Sequence, residues 1–238
     1  MKYCFVIFLI SVCFGAQAQF NDTTHYRVNL NSTGSFNRAN GNNTTLLNNT
    51  FNFGVKTKDV TISASDTYIY GKQNTTLTNN DNAATLFVNF LTAHPRFYYW
   101  GLVNYNNSYS LHINNQMLAG GGLAYSVVDT KNAYLNFSDG LLYDQSDLLV
   151  NDIYHTWRNS FRINMHFALN NIFVFDSSNF LQNSLNNSSD YIIKSTTTAT
   201  VKLKKWIGIT STLAYNRMNI THSENFLLTY GVSIDKYF

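Results

Sequence analysis

Beyond its first eighteen residues the chain has no cysteine, because Cys4 and Cys13 both fall inside that opening segment. A mature chain without thiols excludes disulfides, thiolate metal sites and cysteine nucleophiles. Charge is scarce too: 12% of residues are charged, about half the usual share. The net charge is only +3, and +2 without Lys2, so nothing draws the chain strongly to nucleic acid. After residue 18 no apolar run approaches the roughly twenty residues that a membrane-spanning helix needs. The six histidines, His25, His94, His112, His155, His166 and His222, lack any paired ligand spacing, which argues against a bound metal. No Gly-x-Ser-x-Gly elbow and no phosphate-cradling Gly-x-x-x-x-Gly-Lys occurs, and no cofactor is expected.

What is abundant is aromatic and polar uncharged residues. Hydrophobics reach 45% and aromatics 16%, with many Asn, Thr and Ser. Disorder is excluded by the first figure, and the residue types favour strands and turns over helices. The opening segment reads as a signal peptide over residues 1–18: Lys2, an apolar run from Phe5 to Phe14, then Gly15-Ala16-Gln17-Ala18 as the cleavage signal. A run of about ten apolar residues is too short to anchor the chain in a membrane. The remaining residues, 19–238, read as one domain.

That domain alternates. From Trp157 to Leu169, Trp157, Phe161, Ile163, Met165, Phe167 and Leu169 share one face, and Arg158, Ser160, Arg162, Asn164 and His166 share the other. Leu47, Phe51, Phe53 and Val55 likewise oppose Asn48, Thr50 and Asn52. The polar face is mostly small and uncharged, which suits a crowded, hydrated barrel interior better than an exposed surface. Twelve such segments follow one another, roughly 25–36, 43–56, 59–71, 82–93, 96–105, 115–128, 132–144, 155–169, 171–177, 190–204, 206–216 and 225–238. Their connections alternate between short and long, with the termini on the short side, as in outer-membrane barrels. The fold predicted is all-β: a twelve-stranded antiparallel transmembrane β-barrel in the bacterial outer membrane. The terminal Phe238, preceded by alternating apolar residues, looks like the signal read by the barrel-assembly machinery. Outer-membrane lipid is then the other expected partner, and nothing in the sequence specifies an oligomeric state.

Two local features need explanation. Asp139 falls on the apolar parity of Leu135, Phe137 and Leu141, and a bulge at Ser138-Asp139-Gly140 is expected to turn it inward. The segments 82–93 and 96–105 are apolar on both faces, which predicts a lumen partly plugged by aromatics, with Gly120-Gly121-Gly122 across the bore.

The inward parity supplies the candidate site: Arg27, Arg158, Arg162, His166, Lys194, Lys202 and Asp235. Cations outnumber acids there, which points to a narrow passive channel with weak anion preference, or to a structural envelope protein tied by internal ion pairs. The enzymatic alternative is a lipid hydrolase at the outer rim, built from His155 with Ser160 or from the His222-Ser223-Glu224-Asn225 stretch. No catalytic residue is assigned on that basis.

Several stretches resemble one known family. They are Gly41-Asn42-Asn43-Thr44, Ala119 to Tyr125 followed by Asp129-Thr130 and Leu135-Asn136-Phe137, and Asp190-Tyr191 leading to Leu203 and Trp206. Together they are similar to the salt-induced outer membrane proteins, domain of unknown function 481. The resemblance implies an outer-membrane barrel and brings no catalytic residues. Arg217-Met218-Asn219-Ile220 departs from the Asp-x-x-Pro-like element usual in that family's last outside loop.

Overall fold

The computed structural model describes residues 25–39, 41–94, 96–130, 132–149, 151–170 and 172–238. The expected signal peptide, residues 1–18, lies outside them. Twelve strands follow in order: β1 (Tyr26–Ala39), β2 (Asn42–Lys56), β3 (Val60–Gln73), β4 (Thr76–Leu91), β5 (Phe97–Ser108), β6 (Ile113–Asp129), β7 (Ala133–Leu148), β8 (Asn151–Leu169), β9 (Phe173–Ser184), β10 (Tyr191–Lys204), β11 (Ile207–Met218) and β12 (Ser223–Tyr237). Each pairs antiparallel with its sequence neighbours, and β1 closes on β12 from Arg27↔Tyr237 to Gly34↔Tyr230. Closure leaves no sheet edge unpaired.

The alternation seen in the sequence becomes two surfaces. Leu30, Phe51, Val103, Leu123, Leu141, Phe161, Leu213, Leu228 and Val232 stand exposed on the outside. Tyr26, Phe97, Trp206 and Phe238 ring the end that holds the termini, and Phe36, Tyr105, Trp157 and Phe226 stand toward the other end. Asn29, Thr33, Gln116, Thr210 and Thr229, of opposite parity, are buried inside.

Three expectations are corrected. The long connections are largely absent: at the end away from the termini they shrink to 40–41, 74–75, 109–112, 149–150, 185–190 and 219–222. Their Asn-, Ser- and Thr-rich sequences extend the ladder instead, so that β4 begins at Thr76 and β9 runs on to Ser184. Small polar side chains look like loop residues, yet they fit a strand whose backbone is paired on both sides. Asp139 does not bulge inward, since Leu123↔Asp139 and Gly122↔Gly140 stay in register. It remains on the outer face and accepts a hydrogen bond from Asn159 Nδ2 at 2.9 Å, which offsets part of its desolvation. Asp66 is held the same way by Asn82 Nδ2 at 3.2 Å. Finally, the glycines serve Trp100 along the wall rather than across the bore. Trp100 pairs with Gly122, its Nε1 donates to Leu123 O at 3.2 Å, and a Cβ on Gly140 would stand 2.6 Å from its Cζ2.

Ile163 stands on the outer face between Phe137 and Asn179. A guanidinium there costs roughly 2–4 kcal/mol near the centre of a bilayer. Ile163→Arg should therefore lower the fraction of protein that shows a heat-modifiable, folded band on unboiled gels.

Candidate functional site in the lumen

The interior is divided. Toward β5–β7 the bore is packed with Trp100, Leu102, Ala124 and Leu142, flanked by Phe87 and Tyr98. Arg162 enters this cluster from β8. Its guanidinium carbon lies 4.3 Å from the Phe87 ring centroid, 5.6 Å from that of Phe180 and 5.8 Å from that of Trp100. Nε donates to Ser138 Oγ at 3.1 Å and the Tyr98 hydroxyl also bonds the guanidinium, so the charge is held by π faces and two hydroxyls.

Nearer the end away from the termini, Arg158 is fully buried between two carboxylates. Nε donates to Asp144 Oδ2 at 2.6 Å, while Nη1 and Nη2 donate to Asp190 at 3.1 and 3.0 Å. Gln116 and Ser146 add donors to Asp144, and the Tyr154 hydroxyl bonds both Arg158 and Asp190. One guanidinium thus serves two acids. Burial and the Asp144 charge push the Asp190 carboxyl up to about 7.

The mouth at this end is crossed by the β5–β6 connection, 109–112. Asp81 of β4 accepts from Ser110 N at 2.9 Å, Ser110 Oγ at 2.8 Å and Ser108 Oγ at 2.8 Å. From β12, Asn225 Nδ2 donates to Ser110 Oγ at 2.8 Å, and Ser223 Oγ lies 2.6 Å from His112 Nδ1. Leu111 then packs with Ile113, Leu148, Ile192 and Met218, an apolar cluster that joins β6, β7, β10 and β11. Strands that are not neighbours in the sheet are tied together over the opening.

Below this cover lies a cavity of about 550 Å³ that reaches from Leu111 and Asn225 to Lys205 and Trp206 at the termini end. Arg27, His166, Lys194, Lys202 and Asp235 line it, whereas Arg158 and Arg162 are enclosed in their clusters and do not. Arg27 pairs with Asp235 at 2.9 Å, and His166 with Asp176 at 2.7 Å. Lys194 and Lys202 have no carboxylate within ion-pair distance among the described residues. Lining cations (Arg27, Lys194, Lys202, Lys205) exceed lining acids (Asp81, Asp176, Asp235) by one. Asn48 Oδ1 and Asn106 Nδ2 also line it without a protein partner. Asp81 and Ser110 were not among the sequence candidates, because they belong to polar stretches without distinguishing pattern, and Asn225 enters the sequence reading only within the hydrolase stretch.

The hydrolase candidates are not brought together. His155 lies on the outer face of β8 against Tyr143, Ser160 is buried inside, and Ser223 meets His112, a histidine of neither candidate set. His112 and His222 close turns at φ 58° and 51°, a left-handed geometry in which His is tolerated.

Residues 20–225 match the family described as "Protein of unknown function, DUF481". The chain belongs to the DUF481 family. No curated sequence matches it. Among solved structures it is similar to the NanC porin, with a TM-score of 0.54 at 10% identity over 90% of this chain and 99% of that one. It is also similar to the translocator domain of autotransporter NalP from Neisseria meningitidis, with a TM-score of 0.50 at 13% identity over 92% and 90% of the two chains. At such identities the likeness concerns the fold: this DUF481 chain shares a closed antiparallel barrel with both.

In this DUF481 barrel Asp190 keeps a proton that the unfolded chain, with an acid near its usual 3.8, releases. The resulting contribution to stability is complete below that value and lost as pH rises through about 7. Asp190→Asn should flatten the difference between urea midpoints at acid and alkaline pH. Arg158→Leu leaves both buried carboxyls without their guanidinium and should lower the urea midpoint more at alkaline than at acid pH.

Proposed function

We propose that this protein spans the bacterial outer membrane as a non-enzymatic barrel and works as a narrow channel with weak preference for small anions. The exposed apolar belt favours hydrocarbon over water. The outward Phe238, whose carbonyl accepts from His25 N and Tyr26 N, is the segment offered to the barrel-assembly machinery. The observation that carries the channel reading is the polar cavity with Lys194 and Lys202 unpaired on its wall. A solute anion gains from each lysine in turn along β10 without breaking an internal ion pair. The covered mouth favours a second reading, a structural envelope barrel that does not conduct.

Planar-bilayer recording separates the two. Asp81→Ala frees the 109–112 connection from its main anchor and should raise the conductance above that of the wild type. Adding Lys194→Glu and Lys202→Glu should move the reversal potential toward cation preference. If the Asp81 variant folds and stays silent, the structural reading stands.

A further inference from the structure

At the termini end, the outer face of β5 and β6 carries a concavity lined by His94, Arg96, Phe97 and Tyr125. Phe97 and Tyr125 meet at a tilt of 52° with 4.8 Å between ring centroids, and the His94 ring meets Phe97 edge-on at 5.2 Å. Arg96 Nη1 donates to the Tyr125 hydroxyl at 3.3 Å, and Arg96 has no carboxylate within ion-pair distance among the described residues. The connection is braced, since Thr92 Oγ1 donates to His94 O and Phe97 O, and Ser126 N donates to Arg96 O. A guanidinium with free donors beside aromatic rings at the edge of an apolar belt matches a phosphate diester at the membrane interface.

A second observation lies on the same wall, toward mid-strand. Tyr99 and Leu123 stand outward and exposed, and beyond them the outward pair is Gly101↔Gly121, without side chains. A Cβ on Gly101 would meet only Gly120 O, at 3.9 Å, so the outer space there is open. Beyond Tyr99 and Leu123 the glycine pair leaves a depression in the outer wall, which an acyl chain running over those two side chains would reach and fill.

We infer that this wall is a binding site for an anionic phospholipid of the leaflet at the termini end, with its phosphate on Arg96 and an acyl chain over Gly101 and Gly121. The inference rests on the barrel being membrane-embedded, which co-fractionation of the protein with the outer membrane tests separately. Arg96 supplies charge-assisted hydrogen bonds, Phe97 and Tyr125 flank the glycerol region, and the groove selects for a long chain.

The test is native mass spectrometry of the full, folded barrel in detergent titrated with phosphatidylglycerol, with phosphatidylethanolamine in parallel. The wild type should retain phosphatidylglycerol in preference. Arg96→Gln should weaken retention about tenfold, the value of one charge-assisted hydrogen bond. Gly101→Val, which fills the groove without a backbone clash, should weaken retention of both lipids. Inorganic phosphate should not compete, and equal competition by phosphate would reduce the site to an anion site and overturn the lipid assignment. Retention unchanged in both variants, each confirmed as folded by its gel band, would also overturn it.

Discussion

The closure of β1 on β12 is the constraint on which everything else depends. An open twelve-stranded sheet would expose two rows of unpaired backbone donors and acceptors, which hydrocarbon cannot satisfy. Pairing from Arg27↔Tyr237 to Gly34↔Tyr230 removes both rows. Once the sheet is closed, a period of two assigns each side chain to the inside or the outside, and a slip of one residue would exchange the surfaces. The register is therefore held at many points by side-chain bonds between neighbouring strands, such as Thr33 with Thr229 and Ser177 with Thr197.

Closure also creates an interior that must be filled or wetted. The protein does both, on different sides. Toward β5–β7, aromatic and aliphatic side chains form a dry cluster, and the guanidinium of Arg162 is accommodated by ring faces. Toward β1–β3 and β10–β12, Asn, Thr and Lys line a polar cavity. Arg158 with Asp144 and Asp190 stands near the mouth, where one guanidinium is shared by two carboxyls that neutral donors also serve. Breaking such a cluster is more damaging than its net contribution suggests, because an unpaired buried charge is left behind.

The mouth shows how a short connection can govern access. Residues 109–112 are held inward from β4 and β12, and Leu111 brings an apolar cluster from several strands over the opening. The anchors are a few hydrogen bonds to Asp81 and Asn225, each worth only about 1–3 kcal/mol when a charge is involved. Access to the cavity through this end is thus set by contacts much weaker than the ladder beneath them.

The alternation of side chains along Trp157 to Leu169, repeated in twelve segments, determined the barrel class, the strand order and the division into two faces, because period-two patterning is local and survives without knowledge of partners. Family membership was legible too, from glycine and aromatic positions. The short connections at the termini end were legible as well, but the lengths of those at the other end were not, because Asn, Ser and Thr serve turns and paired strands equally well and only the neighbouring ladder decides between them. Nor could parity tell which inward residues line the cavity. Arg162 and Lys194 read alike in the sequence, yet one is caged by Phe87, Trp100 and Phe180 and the other stands on the cavity wall. That difference comes from side chains of distant strands converging in the bore, which no single segment contains.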